Sequence, residues 1–189
     1  MNHQAMCISR TEQNNELCTG ADFDEMLEEA FYPGGKKNSH QNRIPKETLE
    51  KFKKELKKQK GTILNCRTFD ELLEISENSS VKGIGPLAEY DIAFRYGRQI
   101  GIYPDKVYLH AGTKIGAKNL GIVKRGAKYL TKEELPDYLK TIEPWMAEDF
   151  LCVEKDNPSE KALTEYLKKY KSKSCNSTEK KKKPSCGGC

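Results

Sequence analysis

The sequence lacks any run approaching the roughly 18 consecutive apolar residues that a membrane-spanning helix needs, which excludes a helical membrane protein. Its opening stretch, MNHQAMCISRTEQNNELCTG, has neither the basic start nor the apolar stretch of a secretory signal, so an intracellular protein is expected. A disulfide framework is missing too. The seven cysteines, at 7, 18, 66, 152, 175, 186 and 189, are odd in number and irregularly spaced, in a chain too large to depend on staples. Strand signals are almost absent, and the short ValTyrLeu at 107–109 does not by itself imply a sheet.

What is present is a chain of 189 residues, 36% hydrophobic and 32% charged, with a mean hydropathy of -0.80. That suffices for one core of ordinary size and a polar surface. The net charge of +5 conceals an arrangement: residues 1–32 carry -6, residues 81–130 carry +6, and residues 131–170 carry -4. A basic middle between acidic flanks suits a polyanionic partner, and equally a charged surface that is merely solvated. The last nineteen residues, Lys171 to Cys189, carry +5 and read as a flexible lysine-rich tail.

Helical periodicity dominates. Residues 21–31 place Phe23, Met26, Leu27, Ala30 and Phe31 on one face, after a loose extension over 1–20. ProGlyGly at 33–35 opens a connector to about Asn42, and Pro45 starts a helix to about Lys60, with Leu49, Phe52 and Leu56 inside and seven lysines around them. Thr68 and Glu71 form a capping box for a helix buried through Phe69, Leu72, Leu73 and Ile75. Pro144 and Pro158 predict helices over about 144–154 and 158–170. The fold class expected is all-α: a compact helical domain over 21–170 with flexible termini.

Between the capped helix and the next lies VKGIGPLAEYDIAFRYGRQIG, residues 81–101. Pro86 stands where a second helix begins, and Leu87, Ile92, Ala93, Tyr96 and Ile100 can line its inner face. Glycines at 83 and 85 let the chain turn sharply and let a ligand approach the main chain. The amides that open the Pro86 helix, with its dipole behind them, form an anion site.

The ValLysGlyIleGlyPro core resembles a helix-hairpin-helix motif, with helices joined by a turn of the form apolar-x-Gly-apolar-Gly. The resemblance covers 81–101, with the capped helix at 69–77 completing the unit. It implies contact with the backbone of DNA through Lys82, Gly83, Ile84 and Gly85, a monovalent cation held at the turn, and a role in DNA repair or processing. A wider likeness to the helix-hairpin-helix DNA glycosylases implies a catalytic carboxylate about two dozen residues past the hairpin, where Asp105 follows Gly101 and Pro104, with His110 as a further candidate. ProAspLys equally reads as an ordinary helix start. The four-cysteine spacing of the iron–sulfur glycosylases is absent.

Residues 107–130 contain no acidic side chain and carry Lys114, Lys118, Lys124 and Arg125, with Tyr108 and several glycines. Lys114 and Lys118, a helical turn apart, share a face. Cations and rings together suit nucleic acid, the former meeting phosphates and the latter stacking. No cofactor is expected. Zinc at Cys186 and Cys189 is disfavoured, since only that pair has the spacing of a zinc site. The expected function is binding of nucleic acid, duplex DNA first, without sequence preference. Two alternatives remain: a base-excision glycosylase or lyase, and a protein-interaction scaffold with a purely structural hairpin.

Overall fold

The computed structural model describes residues 22–177. Among them are nine α-helices and one two-stranded sheet, in two compact units divided between Asp105 and Lys106. The helical class expected from periodicity is what the chain adopts. The loose extension expected over 1–20 lies outside the described residues.

The first unit contains α1 (Phe23–Phe31), α2 (Lys46–Lys58), α3 (Lys60–Asn65), α4 (Phe69–Asn78) and α5 (Pro86–Gln99). Asp22 caps α1 by accepting from the Asp24 amide at 3.1 Å. Its buried stripe, Phe23, Met26, Leu27, Ala30 and Phe31, is the one the periodicity gives. Phe31 meets Phe52 of α2 edge-on at 5.5 Å, and Phe23 meets Tyr96 of α5 at 5.9 Å. Leu27, Leu56, Ile63, Leu72, Ile92 and Ala93 surround a void of only about 20 Å³, so all five helices share one packed centre.

Two local features depart from expectation. The lysine-rich helix breaks at Gln59, and a second helix, α3, follows and buries Ile63. On α4 the capping box at Thr68 and Glu71 forms as expected, but the buried face is Phe69, Leu72 and Ser76, with Leu73 and Ile75 only half-buried. Ser76 is buried without penalty because its hydroxyl donates to the Glu89 carbonyl of α5 at 2.9 Å.

The second unit contains β1 (Val107–Tyr108), α6 (Ala111–Asn119), β2 (Tyr129–Leu130), α7 (Asp137–Lys140), α8 (Pro144–Val153) and α9 (Glu160–Ser177). The ValTyr segment does form a sheet, contrary to expectation, because the glycine-rich loop after α6 returns β2 antiparallel to it, pairing Val107 with Leu130 and Tyr108 with Tyr129. Val107 and Leu130 turn inward and are fully buried with Leu139, Phe150 and Leu151. Phe150 meets Tyr166 of α9 at 5.6 Å. Pro144 opens α8 as expected. Pro158 instead precedes the helix, and Ser159 caps α9 by accepting from the Ala162 amide at 3.3 Å. The helix then runs to Ser177, so the first seven residues of the expected tail are helical; the remainder of that segment lies outside the described residues.

The α6–α8 joint depends on absent side chains. A Cβ at Gly116 would collide with the Leu151 carbonyl oxygen, and one at Gly112 would lie 2.5 Å from Cys152 Sγ. The C-terminal end of α6 is glycine-closed as well: Gly121, at φ +71°, lets Ile122 donate back to Ala117 at 3.2 Å. Gly116→Ala should therefore destabilise the protein by about 1–3 kcal/mol, the usual cost of overpacking. Gly61 of α3 has open space around it, and alanine there should stabilise by up to about 1 kcal/mol through helix propensity. Thermal melts followed by circular dichroism should show these opposite signs for the same substitution.

Candidate nucleic-acid interface

Helices α4 and α5 lie against each other through Phe69, which meets Tyr90 at 5.4 Å and Phe94 at 6.5 Å. The chain between them turns at Val81–Ile84, where the Ile84 amide donates to the Val81 carbonyl at 3.0 Å. Gly83 holds the third position of that turn at φ +100°, which strains any L side chain. A Cβ there would also lie 3.3 Å from Thr48 Cγ2, so the turn rests on the start of α2. Gly85 differs. Its backbone is extended, at φ -120° and ψ 168°, and nothing stands within 4 Å of where a Cβ would be. Only Gly83 is required by the turn itself; at 85 any residue would fit.

Pro86 opens α5 with no N–H to satisfy. The Gly85 carbonyl accepts from Ala88 at 2.9 Å and Glu89 at 3.2 Å, and the amides of Gly83, Gly85 and Leu87 have no acceptor among the described residues. These amides stand at the positive end of a 14-residue helix. Lys82 beside them is exposed and Ile84 half-buried. Leu87, expected inside, is 39% exposed. The inner face of α5 runs through Ala88, Ile92, Ala93 and Tyr96, and Leu87 instead shares the row of Asp91 and Arg95.

The other expected residues fall in the second unit. Lys114 is half-buried and Lys118 exposed, one turn apart on α6. Lys124 is ion-paired to Glu134 at 2.6 Å, which neutralises part of the basic run, and Arg125 is exposed. Asp105 ends the first unit, exposed, in the segment leading to β1. No helix begins at Pro104, so the helix-start reading of ProAspLys is corrected: Pro104 is buried, and the chain bends at Asp105 and Lys106 and enters a strand. The hairpin residues and the basic run thus belong to separate units, as do Asp105 and His110.

His110 precedes α6, with Nε2 3.8 Å from Glu148 Oε1 and both side chains largely covered. A carboxylate at that distance favours the charged imidazole, whereas burial opposes it. Burial prevails and holds His110 below its ordinary value near 6.5. Among the described residues, no group of three His, Cys, Asp or Glu side chains is arranged to hold a metal ion. Cys186 and Cys189 lie outside those residues.

Some polar features had little signal in the sequence. Asp91 and Arg95 are four residues apart on α5, and burial raises the first and lowers the second. His40 reaches Asp91 Oδ2 through Nδ1 at 3.6 Å, while Gln41 beside it is fully buried. The clue in the sequence is an Asp-x-x-x-Arg spacing on a helix that also carries Glu89 and Arg98. A groove of about 510 Å³ also opens between α3 and α4, lined by Gln59, Cys66, Glu71 and Glu74, with a charge unsuited to phosphate.

The sign of the His110 shift fixes a pH dependence. Its stabilising contribution is complete above the unfolded value near 6.5 and is lost as pH falls through the lowered folded value, because only the unfolded chain protonates freely. Titration of the imidazole by NMR should place His110 below 6.5; a midpoint above it would show that Glu148, not burial, governs the group.

Comparison with protein-family models, curated proteins and solved structures finds no match to this chain.

Proposed function

We propose that the protein binds nucleic acid, duplex DNA first, through the main-chain turn from Val81 to Leu87, without reading base sequence, in DNA repair or processing. The observation that carries this reading is Gly85. Its extended backbone and the open space around it give the fold no reason for glycine, whereas a phosphate approaching the amides of Gly85 and Leu87 does need a bare main chain. The resemblance of this stretch to a helix-hairpin-helix motif supports the same assignment.

The chemistry is electrostatic. Amides at a helix N-terminus donate to phosphate oxygens, the dipole adds partial positive charge, and exposed Lys82 adds a full one. Lys114, Lys118 and Arg125 of the second unit add attraction without direction, as does Lys124 when released from Glu134. None of these groups reads a base edge.

The salt dependence of binding to a labelled duplex tests the reading. Each neutralised phosphate should contribute about -0.9 to the slope of log affinity against log salt, so three contacts give about -2.7. Gly85→Gln should fold with the parental melting temperature and bind on the order of tenfold more weakly, about 1.4 kcal/mol. Parental affinity in that variant, or indifference to salt, removes the hairpin from the contact. Gly83→Val is a poorer probe, since forcing a side chain toward left-handed backbone costs about 1–2 kcal/mol of stability.

A further inference from the structure

The second unit exposes an aromatic ring on the outer face of its β-ribbon that the core does not use. Tyr129 is 44% exposed, while Leu130 beside it is fully buried. Strand alternation turns Val107 and Leu130 to the core and Tyr129 away from it; the cross-strand partner of Tyr129, Tyr108, has its ring centroid 6.3 Å away and is itself buried, stacked on His110. Lys106 Nζ stands 4.7 Å from the centre of the Tyr129 ring, as a diagonal neighbour on the same face should. The Leu109 amide donates to the Lys128 carbonyl at 2.8 Å and fixes the main chain just before the ring. Before that, a turn closed by Ala127 donating to Lys124 at 3.2 Å, with Gly126 at φ +82°, carries exposed Arg125.

Charge selects the partner. Residues 106–132 hold seven lysines and arginines and no carboxylate; Glu134 pairs with Lys124 and Glu148 stands 3.8 Å from His110. We infer that Tyr129 and Lys106 form a base-stacking platform for single-stranded nucleic acid, the ring receiving a base and the lysine the adjoining phosphate. In the free protein the ammonium rests on the ring. An exposed cation–π contact is weak, and a stacked base can replace it on the ring. Duplex bases are already stacked on one another and offer no free face, which is why the ring favours a single strand. The platform lies wholly in the second unit and does not depend on the hairpin reading.

The test uses the full chain and fluorescein-labelled 20-nucleotide oligo-dT and oligo-U, followed by anisotropy at low salt. Both should bind, since every base has a stacking face. Tyr129→Ala should weaken binding roughly five- to a hundredfold, the range for losing one base–aromatic stack, while Tyr129→Phe and Tyr129→Trp retain it. Lys106→Ala should lower the salt slope by about 0.7, the value for one phosphate on a single strand. Photocross-linking of a 5-bromouracil oligonucleotide to the parent, which needs no variant to fold, should label the peptide containing Tyr129. The inference is overturned by an alanine variant that binds like the parent, by loss of binding in the Phe and Trp variants, or by cross-links elsewhere. Equal displacement by unlabelled duplex, or no binding by the full chain, would overturn it too.

Discussion

The first unit depends on the seating of α5 against α4. Phe69 packs into the angle made by Tyr90 and Phe94, Ser76 ties its hydroxyl to the α5 main chain, and Gly83 supplies the one left-handed residue that lets the two helices reverse so closely. The remaining helices are arranged around this pair. Helix α1 lies on α5 through Phe23 and Tyr96, and the Gln99 side chain donates to the Met26 carbonyl at 2.9 Å. Helix α2 meets the turn through Thr48. Orientation of the amides at the start of α5 is therefore a property of the whole packed unit rather than of a loop, the condition under which weak donors act together on one anion.

The second unit solves a different problem, namely how to bury a two-residue strand pair that no larger sheet supports. Val107 and Leu130 are covered by side chains from α7 and α8, and α8 is held in place by its contact with α6. Pairing so short is marginal in isolation, so the ribbon is positioned by the core beneath it. One consequence is polar: Tyr166 of α9, buried against Phe150, keeps its hydroxyl satisfied by donating to Asp149 at 2.6 Å, and burial with that carboxylate raises its pKa.

Much of this was written locally in the chain. Thr68 with Glu71, Pro86 and Pro144 mark helix starts because each satisfies or dispenses with an orphan amide, and such signals depend on nothing distant. The stripes of α1 and α2 were legible for a similar reason, being repeats within one helix. What was not legible depended on partners far along the sequence. Nothing near Gln59 announces the break between α2 and α3, and Tyr129–Leu130 becomes a strand only because Val107 is available twenty-odd residues earlier. Pro104–Asp105 offered a helix-start signal that the following strand overrode. The candidate site divides the same way: the turn at 83–85 could be located from its glycines, but the difference between Gly83, demanded by backbone, and Gly85, demanded by nothing inside the protein, needed coordinates. The exposed Tyr129 and the buried Asp91–Arg95 pair needed them too.

The glycines at 112 and 116 are four residues apart on one helix and do the same job, yet they leave the lineage of this protein with unequal freedom. Gly112 faces the thiol of Cys152, a side chain, so a methyl group at 112 can be accommodated by a smaller residue at 152, and the two positions can drift together. Gly116 faces the carbonyl oxygen of Leu151. Every amino acid carries that oxygen, and no substitution at 151 removes it. Position 116 therefore has no compensating partner: related chains that keep this helix pairing are free to exchange residues at 112 and 152 in concert, but must keep glycine at 116 or rebuild the joint.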